Sequence, residues 1–494
     1  MDLISKAKAI PQQALQSLQF AQEWQQGSKL IGIKSLGALL LLLVVTLPYL
    51  ENYLTGLIAV LCGVFWLTIW IGDRHDGQDP QVPPWTAIHS PLIVYWVIAA
   101  IATAISPVRV AALDGLIKLT TYFLIFVSFS RLMRLSPTSE TSVDNENSGE
   151  DLAPLPTNKT TNNQMGWRSM FVAAYLATTL VVCAYGIQQW YLGAEELATW
   201  TDPTSELAGT TRIYSFIGNP NLLAGYLMPS LPLGVVAALH WRSWATKIFA
   251  ALVAIAGVFC IVQTQSRGAL VGIAVESLVL VLLLVYWWGR RLPIWALPSF
   301  FGGTIGIMVL SVLLFPKLRS RVESIFSGGG DSSNSFRLNV WPAVFKMIKA
   351  RPIFGIGPGN KAFNQVYPVY QSSGFSALGT YSVPLEITVE TGFVGAACYL
   401  WLVAMVIRVG WQNLNRVRSL RVSEGLWIVA ALSIIAGMIV HGLVDTVWYR
   451  PQVQILWWLE IALIASFCLN PISNSEVNAS VNLESSSELP ETQT

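Results

Sequence analysis

Apolar stretches of about 17–25 residues recur along this chain, each long enough to cross the hydrocarbon core of a bilayer as a helix. They begin near Leu30, Tyr53, Pro91, Gly115, Ser169, Asn221, Ala245, Gly268, Pro293, Gly392, Gly425 and Val453. A backbone in lipid must satisfy its own N–H and C=O groups, which restricts such stretches to helices. The sequence therefore predicts an all-α, polytopic integral membrane protein of about twelve transmembrane helices. The runs near Pro91 and Gly115 are the weakest of the set, because Lys118 interrupts one and the other is short. Composition agrees with the bilayer reading: 53% of the 494 residues are hydrophobic and 12% are charged, roughly half the charged share of a soluble domain. Many of the 20 tryptophans lie near the ends of apolar runs, where an aromatic belt would put them. A net charge of +2 gives no sign of a nucleic-acid partner. Cys62, Cys183, Cys260, Cys398 and Cys468 all fall inside apolar runs without metal-ligand spacing and read as small core residues. Neither a metal nor a cofactor is expected.

Loop charge sets an orientation. With the N-terminus inside, the inner loops carry Arg131 and Arg134, Arg242 and Lys247, Arg290 and Arg291, and then Arg408, Arg416, Arg418 and Arg421. Both termini are then cytoplasmic, in a bacterial plasma membrane or a thylakoid. No cleavable signal sequence is expected, since the first residues are polar and Gln-rich. The chain divides into a cytoplasmic amphipathic segment (1–29), a first transmembrane group (30–135) and a disordered cytoplasmic linker (136–166). Further transmembrane helices (167–315) lead to an ordered external loop subdomain (316–384). The last transmembrane helices (385–470) precede a disordered acidic tail (471–494). Within the external loop, Phe336–Ala350 reads as an amphipathic helix with Phe336, Val340, Val344 and Met347 on one face.

Four arginines fall on the outer side, against the positive-inside bias: Arg212, Arg267, Arg337 and Arg450. An anion held at the outer leaflet would account for them. Arg212 precedes Asn219-Pro220-Asn221, a turn signature at a helix start, where exposed N–H groups favour an anion. The plainer alternative is an N-cap beside an interfacial arginine. Arg267 sits in a tight hairpin between two spans, where snorkelling to headgroups is the alternative. Arg337 opens the amphipathic helix and could equally be a solvated face. Gly355, Gly357 and Gly359 are spaced like a phosphate loop, but no Lys-Ser/Thr follows, and a turn between surface helices is the better reading. His441, Asp445 and Arg450 cluster at an outer helix end, and a continuous helix would set His441 beside Asp445 as a His–carboxylate pair. Glu386 and Glu390 lie one turn apart at the entrance to a span, and Glu390 could bind one of the arginines. Lys118, Glu276 and Glu460 are the main ionisable residues inside predicted spans.

Arg337 with Trp341, then Pro352-Ile-Phe-Gly-Ile-Gly-Pro-Gly, then Glu390-Thr-Gly-Phe-Val-Gly, resembles the O-antigen ligase-like membrane proteins. Segments around Arg212–Asn221 and Ser266-Arg267-Gly268 are similar to the same family, so the resemblance covers most of residues 168–470. It implies transfer of a glycan from a polyprenyl-diphosphate carrier at the outer leaflet without a metal. Arg212, Arg267 and Arg337 would then clamp the diphosphate. Where ligases of this family carry a His-Asn pair before that Glu, this chain has Tyr381 and Ser382. Tyr381 is thus a candidate catalytic group, and His441 is the histidine that could take the missing role. One branch is closer still, the cyanobacterial IctB family, through Gly209-Thr-Thr-Arg-Ile-Tyr-Ser-Phe-Ile-Gly-Asn-Pro-Asn, Tyr381-Ser-Val-Pro-Leu-Glu-Ile and Asp445-Thr-Val-Trp-Tyr-Arg-Pro-Gln. That resemblance implies a role in inorganic carbon accumulation, with bicarbonate as the anion. A carrier of bicarbonate, a glycosyltransferase, and a partner subunit without catalysis all stay open on the sequence.

Overall fold

A computed structural model describes residues 31–50, 52–75, 86–134, 166–194, 212–289, 332–371, 377–420 and 422–468, with isolated positions between 302 and 319. The expectations for 1–29, 136–165 and 471–494 lie outside the described residues. Every regular element among the described residues is a helix. The first group comprises α1 (Ile31–Thr46), α2 (Asn52–His75), α3 (His89–Ala104) and α4 (Arg109–Arg134). Next come α5 (Trp167–Leu192), α6 (Pro220–Leu227), α7 (Ser230–His240), α8 (Trp244–Thr264) and α9 (Arg267–Trp288). Two helices of the predicted external loop follow, α10 (Ser332–Ala350) and α11 (Asn360–Val366). The chain then runs through α12 (Val383–Ser419), α13 (Leu426–Val444) and α14 (Pro451–Ala465).

Seven stretches are long and apolar enough to cross a membrane: α4, α5, α6 with α7, α8, α9, α12, and α13 counted from Ser423. α1, α3, α14 and the Tyr53–Ile69 part of α2 are apolar but shorter. Together these take in every predicted run except the one near Pro293, which lies outside the described residues. The rod of α6 and α7 breaks at Pro229, whose missing N–H cannot continue the ladder.

α13 packs along α9, α14 along α4, and α12 along α3. The α9–α13 seam is close because it is lined by small residues. A Cβ on Gly268 would lie 2.7 Å from Val444 Cγ2 and 3.1 Å from His441 Cδ2. The seam thereby places the His441 ring against the first turn of α9.

α12 is broken near its start. Gly392 has φ 70° and ψ −174°, outside helical space. The groups freed at this kink are taken by the Pro352–Gly357 loop. Ile356 N donates to Val389 O at 2.9 Å and Gly357 N to Glu390 O at 2.9 Å. In return Phe393 N donates to Pro352 O at 2.8 Å. The loop comes so near that a Cβ on Gly392 would lie 2.0 Å from Ile353 O. The glycines of this loop therefore serve backbone-to-backbone docking, as the turn reading held. α10 covers the loop with a small core of its own, in which Val340, Val344 and Met347 pack with Ile356, Phe363 and Tyr367. The apolar face predicted for this helix is the buried one at these three positions.

Candidate functional site

The four arginines share one end of the bundle, where α5 and α8 finish and α6 and α9 begin. The Arg212 Nε donates to Thr264 O, the last carbonyl of α8, at 2.9 Å. One Nη of Arg212 donates to Asn221 Oδ1 at 3.2 Å. Asn221 Nδ2 in turn donates to Asp445 Oδ2 at 2.6 Å. Arg337 reaches the same carboxylate oxygen at 3.3 Å from α10. Asp445 therefore ties together segments that are far apart in the chain. Its partner Arg337 keeps only 16% of its side chain exposed, and Asp445 keeps 11%.

Asn219 serves this node indirectly. Its Oδ1 caps α6, accepting from Asn221 N at 2.8 Å and Leu222 N at 3.2 Å. This is the plain N-cap reading, and its effect is to fix Asn221. Arg267 is the first residue of α9, adjacent to the Gly268 that touches His441. Arg450 precedes α14 with its guanidinium carbon 5.5 Å from the Tyr449 ring centre. Its Nε is buried with no hydrogen-bond partner among the described residues. Thr446 Oγ1, beside Asp445, is likewise buried and unpartnered. Sequence reading passed over Thr446, although its adjacency to Asp445 was a usable signal.

Two expectations need correction. A continuous helix was to set His441 one turn before Asp445, but α13 ends at Val444 and Asp445 is extended, with φ −150° and ψ 152°. The helical i,i+4 relation therefore does not exist. His441 is fully buried against α9, and neither ring nitrogen has a hydrogen-bond partner among the described residues. The second correction concerns Glu390. No ion pair joins it to any of the four arginines among the described residues. Instead it lines a cavity of about 130 Å³ with Glu386, Lys118 and Tyr449.

Tyr381 occupies a left-handed turn with φ 56°. The turn is pinned by Trp341, whose Nε1 donates to Thr380 O at 3.1 Å, and by Thr380 Oγ1 donating to Ser382 O at 2.7 Å. Burial first, and then the Asp445 carboxylate, hold the Tyr381 phenol above its ordinary value, against a backbone hydrogen bond at Leu378. A phenol shifted upward is a weaker general base at neutral pH than an unperturbed one.

Taken as chemistry, the node sets Arg337 directly, and Arg212 through Asn221, against one carboxylate, with Arg267 and Arg450 at the same end of the bundle. Bidentate guanidinium forks suit phosphate and carboxylate oxygens, and they gain strength where water is scarce. Among the described residues no group of three His, Cys, Asp or Glu could hold a metal ion.

Residues 230–400 match the family model of the O-antigen ligase. The matched segment runs from α7 into α12 and contains Arg267, Arg337, Tyr381 and Glu390. The match covers about a third of the chain and is a similarity of that segment to the family. Arg212, Asn219, Asn221, His441, Asp445 and Arg450 lie beyond the matched segment and meet it only in the fold. No curated protein matches the chain.

Proposed function

We propose that the chain transfers a glycan from a polyprenyl-diphosphate carrier to an acceptor, as a metal-independent ligase or polymerase of the O-antigen ligase type working at the outer face of about twelve spans. The observation that carries this reading is the convergence of Arg212, through Asn221, and Arg337 on Asp445. A diphosphate ester offers many oxygens along its length, and several separated arginines fit it better than they fit a small anion. The external subdomain of α10 and α11 contributes Arg337, which gives that subdomain a purpose in the reading.

In the reaction, the acceptor hydroxyl oxygen forms a bond to the anomeric carbon of the donor glycan. The bond from that carbon to the diphosphate oxygen breaks, and its electron pair leaves on the diphosphate. Arg212, Arg267, Arg337 and Arg450 offset the charge that gathers there. The hydroxyl proton passes to water at the outer face; His441, fully buried against the arginine-bearing turn of α9, would need that turn to open before it could act as the base. Tyr381 shapes the turn beside Asp445 and does not act as the base.

A bicarbonate carrier of the IctB type is the second reading. It draws on Glu276 and Glu460, both fully buried in predicted spans with carboxyl oxygens that have no hydrogen-bond partner among the described residues, the kind of residue carriers use for coupling. One pair of measurements on the full chain separates the two. Polyprenyl diphosphate binding is measured on wild type and Arg337→Ala, and labelled bicarbonate uptake is followed in liposomes. The transfer reading expects tight lipid binding that Arg337→Ala weakens, and uptake no greater than in empty liposomes. Saturable uptake with no affinity for the lipid would replace it with the carrier.

A further inference from the structure

The cavity that holds Glu390 is distinct from the arginine node and opposite to it in character. It lies between α3, α4, α12, α14 and the turn leading into α11. Its charged groups are Glu386 and Glu390, one helical turn apart, and Lys118. Lys118 already pairs with Asp114 at 2.8 Å. The pocket is therefore lined by carboxyl groups where the node is lined by guanidiniums. The rest of its wall is rich in aromatic rings, among them Tyr95, Tyr122, Tyr449 and Trp458. Asn360 and Gln454 add amide groups. Trp458 is 3% exposed, and its indole Nε1 is buried without a hydrogen-bond partner among the described residues. A buried indole N–H is ordinarily satisfied; Trp241 and Trp427 share the lack of a partner among the described residues, and Trp458 is the one of the three that lines this cavity.

Aromatic faces, carboxylates and amides around one small cavity suit a ligand with hydroxyl donors and apolar C–H faces. A sugar ring has both. The cavity also borders the arginine node. Tyr449 belongs to its wall and to the Arg450 cation–π contact. Val383 lines it and packs on Gly442, the neighbour of His441, at 3.1 Å from a Cβ placed there.

We infer that this cavity, lined by Glu386, Glu390, Tyr122 and Trp458, is a binding site for an uncharged sugar residue, the acceptor in a transfer whose donor diphosphate sits on the arginine side. The inference rests on the transfer reading for the word acceptor, but the sugar site is testable without it.

The test is saturation-transfer NMR on the solubilised full chain, with methyl glycosides of glucose, galactose and mannose as probes. Polyprenyl diphosphate binding is measured in parallel. At least one glycoside should bind saturably to wild type. Glu390→Gln and Trp458→Phe should each weaken it about tenfold, the loss expected for a hydrogen bond with a charged or buried partner. Arg337→Ala should leave glycoside binding unchanged while it weakens the lipid. Thermal unfolding of each variant shows that it is folded, and the two cavity variants check one another. Glycoside binding with no lipid binding would uphold the sugar site and defeat the transfer reading. Absence of saturable binding for every glycoside, or equal weakening by Arg337→Ala, overturns the inference.

Discussion

Both ends of the helix bundle gather arginines, yet the two ends employ them differently. At the end where α4, α12 and α14 finish, the guanidiniums close off helix termini. Arg134 donates to Ala465 O at 2.9 Å and Arg168 to Ser466 O at 3.2 Å. Arg416 donates to Phe467 O, and Arg168 forms an ion pair with Glu424. The last carbonyls of a helix are orphaned acceptors carrying partial negative charge, so these arginines complete the fold. At the opposite end Arg212 caps α8 in this way through Thr264 O, and Arg351 caps α3 through Ile105 O at 3.1 Å. Arg337 instead joins Asp445, and the Arg450 Nε has no hydrogen-bond partner among the described residues. One end uses its arginines chiefly on helix carbonyls, although Arg134 Nε and one Nη also have no hydrogen-bond partner among the described residues, and the other gathers them around Asp445. The same residue type thus carries stability at one face and, in our reading, chemistry at the other.

Substitution at the two ends should separate these roles. Arg337→Ala should cost activity far more than stability: glycan transfer falls about 10²–10³-fold, the usual loss for one stabilising donor at a developing charge, while the unfolding midpoint in detergent falls less than in Arg168→Ala, because Asn221 Nδ2 still donates to Asp445 once the ion pair is gone. A large fall in stability together with full residual activity would reverse the assignment. Arg168→Ala should do the opposite. Arg168 and Glu424 keep 7% and 15% of their side chains exposed, and removing one partner of a buried pair costs about 3–5 kcal/mol. Denaturation should show that loss while the rate per folded molecule stays the same.

Smaller effects test the link between the faces. Gly392→Ala meets both a left-handed backbone and the Ile353 carbonyl. It should cost at least about 1–2 kcal/mol from the backbone alone and loosen the loop docked on α12, read as faster proteolysis between α10 and α12. Protection equal to wild type would mean that the loop does not depend on the kink. Tyr381→Phe should change the rate less than about threefold, within the range of a lost neutral hydrogen bond. The phenol is held above its ordinary value, so it stays protonated in the native protein below about pH 10. Its folded form binds the proton more tightly than the unfolded chain, so any stability it contributes is present at neutral pH and is lost only as the medium becomes strongly alkaline. A break in the wild-type rate between pH 7 and 9 that Tyr381→Phe abolishes would make the tyrosine catalytic after all.

Much of this contrast was legible in the sequence, and the unread part has identifiable causes. Apolar run length marked the positions of the helices, because hydrocarbon thickness fixes how much chain is needed. Alternation of basic loops separated Arg131, Arg134, Arg416 and Arg418 from Arg212, Arg267, Arg337 and Arg450. Asn219 announced its cap through Pro220. What the sequence could not convey was which distant groups meet. Thr264 contributes a backbone carbonyl, which has no sequence signature at all. His441 was placed by the period of a helix that in fact stops at Val444, and its real neighbour, Gly268, comes from another helix. For Glu390 the sequence left two readings open, a carboxyl pair with Glu386 or a partner for one of the arginines, because charge alone does not choose between them. The kink at Gly392 turns that part of α12 toward the Pro352–Gly359 loop, and its carboxylate lines a separate cavity.

The most direct test of the account reconstitutes the full chain in liposomes with a polyprenyl-diphosphate glycan labelled in its sugar, and follows label onto an added glycan acceptor. Wild type and Arg168→Ala should transfer at the same rate per folded molecule, and Arg337→Ala about 10²–10³-fold more slowly. Equal rates in wild type and Arg337→Ala would contradict the account. So would wild-type protein, shown to be folded and to bind the lipid, that moves no label to any acceptor.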